Sequence, residues 1–136
     1  MNFKDNESEA KLRGGYYTPD PVSKFLIRWV LQNKPRNVLE PSCGDGAFIR
    51  ALNGQHKHTI RLTGVELFAE EAVKAASSAN ENKHLDADIK TADFLALSLR
   101  EIEAGKKYDA IIGNPPYIRY QYLAPADQVL SEKIFA

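Results

Sequence analysis

Asn37-Val38-Leu39-Glu40-Pro41-Ser42-Cys43-Gly44-Asp45-Gly46-Ala47-Phe48 reads as a short apolar strand, a tight turn with two glycines, and the start of a helix. Pro41 has no ladder N–H, so the strand ends there. Glycines directly after a strand let the backbone come close to a ligand. The helix that follows, expected over Ala47 to Leu52 and stopped by Asn53-Gly54, turns unpaired N–H groups toward the same place. The loop lacks the Lys-Ser/Thr of a triphosphate-binding loop and the third glycine of the dinucleotide fingerprint. Alone it reads first as an ordinary strand-to-helix turn, and Glu40 and Pro41 ahead of it shift the reading toward a ligand loop.

Downstream, Thr59 to Glu66 reads as a second strand, with Ile60, Leu62 and Val65 apolar, and Phe68 to Ala79 as a helix. Asp88 to Ala92 reads as a third strand and Tyr108 to Gly113 as a fourth, which Asn114-Pro115-Pro116-Tyr117 ends. A last helix is expected from Asp127. Upstream, Asp20 is placed to cap a helix with Pro21 at its first position; Val22, Phe25, Leu26, Trp29 and Val30 follow at helical spacing, and Pro35 ends the element. Strands alternating with helices predict an α/β fold with a parallel sheet and flanking helices. In such sheets ligands sit at the carboxyl ends of strands, near the switch point in strand order. Every motif below falls at a strand end.

The bulk composition narrows the class. At 136 residues, 43% hydrophobic and 26% charged, the chain fits one globular domain or part of a larger one. No apolar run of about eighteen residues exists, and the polar start has no apolar signal region, so a cytoplasmic protein without a membrane span is expected. The single cysteine, Cys43, excludes an internal disulfide and a multi-cysteine metal site. His56, His58 and His84 lie in polar stretches and are expected at the surface. A formal net charge of zero lends no support to nucleic-acid binding by bulk electrostatics.

Three further constellations carry chemistry. Glu66, twenty-six positions after Glu40, closes the second strand, where a carboxylate can accept both hydroxyls of a ribose; it can also be a solvated helix-start glutamate. Asp93-Phe94 follows the third strand and offers an acceptor and an apolar face to an adenine ring; alone it reads rather as a helix-capping Asp beside a core Phe. Asn114-Pro115-Pro116-Tyr117 is the specific signal. An aromatic amine is a poor nucleophile because its lone pair is delocalised into the ring. Acceptors that hold both amine hydrogens draw the nitrogen toward a tetrahedral shape and free that lone pair. The Asn114 side chain and the Pro115 carbonyl can be those acceptors, and Tyr117 can stack on a base flipped out of its duplex.

On these residues the chain resembles the γ-type N6-adenine methyltransferases of DNA restriction–modification systems, from about Gly15 to Tyr122. Tyr16-Tyr17-Thr18-Pro19 resembles the family's N-terminal motif, which folds over the methionine end of the cofactor, S-adenosyl-L-methionine. Glu40 to Phe48 is similar to its glycine loop, down to the Pro and Cys. The resemblance implies cofactor contacts from Tyr17, Thr18, Pro19, Glu40, Pro41, Ser42, Cys43, Gly44 and Gly46, with Glu40 facing the methionine amino group. It implies that Glu66 holds the ribose, that Asp93 and Phe94 hold the adenine, and that Asn114, beside the cofactor, forms the catalytic loop with Pro115, Pro116 and Tyr117. The implied reaction is direct in-line methyl transfer, with no metal and no covalent role for Cys43. The fold implied is Rossmann-like.

About four of the family's seven strands are legible. The expected organisation is a polar arm or helix over 1–14 and a partial catalytic domain over 15–136, with later strands and a target-recognition domain absent. The isolated chain is then expected to methylate DNA poorly or not at all, and its sheet edge to be covered by a partner chain or by self-association. DNA is the expected partner. Arg119 to Tyr122 fits either base stacking or a plain connection. Two other functions share these features. Protein-glutamine and RNA guanine-N2 methyltransferases use a similar Asn-Pro-Pro-Tyr loop, and a non-catalytic cofactor-binding or assembly module would have this length.

Overall fold

The computed structural model describes residues 17–117 and 120–135. The expected N-terminal arm, Gly14-Gly15, Tyr16 and Arg119 lie outside the described residues. The elements are α1 (Asp20–Leu31), β1 (Asn37–Glu40), α2 (Ala47–Leu52), β2 (Ile60–Glu66), α3 (Ala69–Asn80), β3 (Leu85–Thr91), α4 (Phe94–Glu103), β4 (Ala110–Ile111), a 3-10 turn over Tyr120–Tyr122, and α5 (Pro125–Phe135).

All strand pairs are parallel, in the order β3-β2-β1-β4. β1 therefore sits at the switch point, with β2 on one side and β4 on the other. The register sets Glu40 opposite Gly64 and Glu66 opposite Thr91, so the two glutamates end neighbouring strands at the same edge of the sheet. The core gathers Ile27, Val38, Phe48, Ile49, Leu52, Ile60, Leu62 and Ile112. α1 packs on α2, α2 on α3, and α3 on β2 and β3. Ala72, Ala75 and Ala79 give α3 a buried face of small side chains.

Several boundaries differ from expectation for local reasons. Pro19, not Asp20, is the α1 cap: its extended backbone (φ −59°, ψ 141°) directs its carbonyl to the N–H groups of Val22 and Ser23, and Asp20 enters the first turn. β3 starts three residues early, because Leu85, Ala87 and Ile89 alternate with charged Asp86, Asp88 and Lys90, a period-two pattern that polar content obscured. β4 pairs over two residues only, though the Asp109 and Ile112 N–H groups extend the contact to Asn37 and Leu39 carbonyls. The Asp109 carboxylate also accepts from the N–H groups of Arg36 and Asn37, both at 2.8 Å, which fastens the start of β4 to the start of β1.

α4 was not foreseen, and α5 starts at Pro125 rather than Asp127. Only part of α1's apolar surface is inward: Ile27 is buried, whereas Phe25 and Trp29 are 69% and 65% exposed. The histidines are not simple surface residues. His56 is buried; its Nδ1–H donates to the His58 carbonyl at 2.8 Å, and its Nε2 accepts from Asn82 Nδ2 at 3.0 Å. His58 and His84 lie edge-on to its ring. Among the described residues no helix is long and apolar enough to cross a membrane, and no group of three or more acidic, His or Cys side chains is placed to hold a metal.

Candidate active site

The site is built around the chain's turn out of β1. The Cys43 N–H donates to the Val65 carbonyl and the Gly46 N–H to the Cys43 carbonyl, both at 2.9 Å, so the loop folds back over the end of β2. Gly44 (φ +54°) and Gly46 (φ +93°) hold the left-handed backbone that this turn needs. Gly46 also caps α2, and a Cβ there would lie 3.0 Å from the Ala75 backbone. α3 thus packs directly against the loop, which its row of alanines permits.

Glu66 fixes that loop. Its Oε2 accepts from the Gly44 N–H and its Oε1 from the Phe68 N–H, each at 2.9 Å. One carboxylate thereby ties the glycine loop to the turn into α3. This bracing role escaped sequence reasoning, because only the fold of the loop back over β2 brings Gly44 beside Glu66. Each carboxylate oxygen has a second lone pair, so acceptor capacity toward a diol remains.

Glu40 is only 1% exposed, yet its Oε2 has no hydrogen-bond partner. The buried Ser42 Oγ is likewise unpartnered. Burial pushes the Glu40 carboxyl well above the usual carboxylate range; Asp45 and Glu66 add to the rise and Arg50 opposes it. An orphaned buried acid is costly, and a cationic group of a ligand is its natural complement. Burial, with Glu40 and Glu66 nearby, also pushes the Cys43 thiol up to about 12. It stays protonated and packs as a small apolar residue, not as a nucleophile.

Across the cleft, Asn114 follows β4. Its Nδ2–H donates to the Thr18 Oγ1 at 3.3 Å, joining the segment before α1 to the loop after β4. That bond orients the amide and leaves its oxygen as the side chain's acceptor. Pro115, Pro116 and Tyr117 continue from it on the exposed side. Pro41 passes under this loop, since a Cβ on Gly113 would meet its ring at 3.4 Å.

One open cleft is lined by Tyr17, Thr18, Glu40, Ser42, Cys43, Gly44, Phe48 and Asn114, together with Asp45 and Ala47. It therefore joins three of the sequence constellations. Asp45 was overlooked as a lining residue; it pairs with Arg50 at 3.3 Å, and its signal was being the one charged residue of the loop. Pro19 caps α1 beside the cleft, and Glu66 braces it from behind. Asp93 and Phe94 do not line it. Asp93 caps α4, its Oδ1 accepting from the Ala96 N–H at 3.1 Å, and Phe94 opens that helix.

A family model described as N-6 DNA Methylase matches residues 3–134. The chain belongs to the N-6 DNA methylase family. Among its relatives, the type II methyltransferase M.HincII of Haemophilus influenzae is 32% identical over 120 residues, covering 88% of this chain and 20% of the relative. The type II methyltransferase M.BanIII of Aneurinibacillus aneurinilyticus is 34% identical over 137 residues, covering 85% of this chain and 24% of the relative. The chain thus spans a fifth to a quarter of the length of these relatives. An O-methyltransferase from Bacillus cereus, solved with SAH, superposes with a TM-score of 0.58 at 24% identity, over 92% of this chain and 56% of that one. The N-6 DNA methylase chain accordingly carries part of a Rossmann-like methyltransferase fold, with the switch-point strand and its loop in the described part.

Proposed function

We propose that this chain holds S-adenosyl-L-methionine in the cleft at the end of β1 and offers Asn114 to Tyr117 to the N6 amine of adenine in DNA, as the catalytic part of a restriction–modification methyltransferase. The observation that carries this is the hydrogen bond between Asn114 and Thr18 over the same cleft as the orphaned Glu40 carboxylate. An amine-binding group and a cation-binding group face one cavity. The family membership supports the DNA substrate over protein glutamine or RNA guanine.

The donor set fits the cofactor. Glu40 would hold the methionine ammonium, with Ser42 and the strap residues Tyr17, Thr18 and Pro19 beside it, while Pro41, Cys43, Gly44 and Gly46 shape the loop against it. Glu66 would accept the ribose hydroxyls on its remaining lone pairs. Asp93, with one oxygen committed to Ala96, keeps the other for an adenine amine, and Phe94 follows it. The cofactor brings a methyl group already activated on a sulfonium sulfur. The protein then positions: Asn114 Oδ1 and the Pro115 carbonyl accept the two amine hydrogens, Pro116 stiffens the loop, and Tyr117 stacks on the extruded base. Alignment of this kind supplies ~7–11 kcal/mol of a bimolecular barrier. The outer edge of β4, with exposed Ile111, is the face that this reading assigns to further strands, a partner chain or a second copy.

Calorimetric titration with S-adenosylhomocysteine tests the reading. Saturable binding is expected, and Glu66→Ala should weaken it at least ~10-fold, because two charged hydrogen bonds of ~1.5–3 kcal/mol each no longer hold the loop. Absence of binding by the unsubstituted chain would refute the cofactor assignment.

Glu40 makes a second, independent prediction. Its raised pKa means that the folded free chain keeps a proton which the unfolded chain releases at ordinary carboxylate pH. The buried acid therefore costs stability as pH rises from the ordinary carboxylate value toward the raised one. A bound ammonium favours the ionised form, so cofactor binding within that window should expel a proton. Titrations in buffers of different ionisation enthalpy will register it, and Glu40→Gln should remove the buffer dependence.

A further inference from the structure

The residues that cover the cleft are held at two points, and only one of them belongs to the amine-binding loop. Thr18 accepts from Asn114 beyond β4. Tyr17, which lines the cleft although 61% exposed, reaches the other way: its hydroxyl donates to Glu71 Oε2 on α3 at 3.4 Å. Glu71 is itself steered by Lys74, whose Nζ donates to Oε1 at 2.7 Å one turn along the helix. α3 follows β2, and Asn114 follows β4, so the two anchors stand on opposite sides of the switch-point strand. The segment from Tyr17 to Pro19 is a strap drawn across the mouth of the glycine loop.

We infer that Glu71 is a positioning residue for the cofactor: by fastening Tyr17 to α3 it holds the strap closed and sets how long the cofactor stays bound. The inference rests on the cofactor reading given above and adds a residue to which that reading gives no part. Glu71 touches neither reacting atom, so its effect reaches the cofactor only through Tyr17. The Tyr17 phenol is raised above its ordinary pKa, chiefly by the Glu71 charge, which keeps it a donor to that carboxylate. Lys74 leaves Oε2 of Glu71 for the phenol by taking Oε1.

The test is the dissociation rate of S-adenosylhomocysteine from the full chain, measured by rapid displacement for Tyr17→Phe, Glu71→Ala, Glu71→Gln and the Tyr17→Phe/Glu71→Ala double variant. Each of the first two should release the ligand about threefold faster, as loss of one exposed hydrogen bond to a charged acceptor implies. The double variant should be no faster than either single one, because both remove the same contact. Glu71→Gln should give an intermediate rate, since its one amide oxygen can accept from Tyr17 or from Lys74 but not from both. The Glu71 side chain is 20% exposed, so melting temperatures measured alongside separate loss of the strap contact from loss of fold. Additive single effects, or unchanged release in Tyr17→Phe and Glu71→Ala with binding intact, would overturn the strap alone. Failure of the unsubstituted chain to bind at all would overturn the cofactor reading and the strap with it.

Discussion

Asn114→Ala should reduce methyl transfer to adenine ~10²–10³-fold, the usual loss when one preorganised polar group that meets developing charge is removed. The side chain has two jobs in the proposed reaction. Its oxygen holds one amine hydrogen, which draws the nitrogen lone pair out of the ring, and its N–H grips Thr18 Oγ1, which fixes where that oxygen points. Alanine removes both. Glu40, Ser42 and Gly44 are untouched and only the Thr18 anchor of the strap is lost, so affinity for S-adenosylhomocysteine should fall by no more than about threefold, equivalent to one weak hydrogen bond. Asn114→Asp separates the two jobs: it still accepts, and the Thr18 hydroxyl can turn to donate, so part of the activity should survive. The assay is transfer of labelled methyl from S-adenosylmethionine to duplex DNA, under conditions where the unsubstituted protein turns over. Retained transfer in Asn114→Ala would remove the amine-binding role and leave a cofactor-binding module.

Gly46→Ala is the substitution with the largest expected effect on the fold. At φ +93° a side chain is strained by ~1–2 kcal/mol, and a Cβ 3.0 Å from the Ala75 backbone meets an atom that cannot swing aside, adding ~1–3 kcal/mol of overpacking. Together these should lower the melting temperature on the order of 10 °C for a domain of this size. Displacing α3 also displaces Glu71 and the Phe68 amide, so cofactor binding should weaken in parallel. Gly44→Ala is the control. Its φ is +54° but nothing lies within 4 Å of the new Cβ, so only the backbone term of ~1 kcal/mol applies. Equal melting temperatures for the two variants would show that α3 does not press on the loop.

Much of this was legible before any coordinates, and the legible parts share a property. β1, α2 and the Asn114 loop are governed by proline and glycine, whose backbone limits are local, so their positions follow from the residues themselves. That the sheet is parallel follows from alternating strands and helices, but the order that sets β1 between β2 and β4 does not. What was not legible depended on who sits opposite. Glu66 was read as a ligand carboxylate, but that the Gly44 and Phe68 amides converge on it follows from how the glycine loop folds back over β2. Asp93 was weighed as a cap, yet α4 itself was missed because Phe94, Leu95, Leu97 and Leu99 gave no clear period. His56 was placed at the surface because its neighbours in sequence are polar, whereas Asn82, twenty-six positions away, buries and bonds it. Phe25 and Trp29 belong to the stripe expected to face inward, whereas the buried Ser23 and Ile27 lie off it, so the face that α1 turns to the core was misjudged.

The bond between Thr18 and Asn114 also bears on how the molecule assembles. It closes a loop of 96 residues, and closing so long a chain costs about 4 kcal/mol in entropy beyond a constant term, several times the worth of one neutral hydrogen bond. That contact cannot nucleate folding. It forms only once the sheet has already brought the two ends together, and it is among the first to break in local opening. The Asn114 loop is thus weakly secured compared with the strand-and-loop platform, a division of stability that, in the proposed reaction, would let it yield to an entering base.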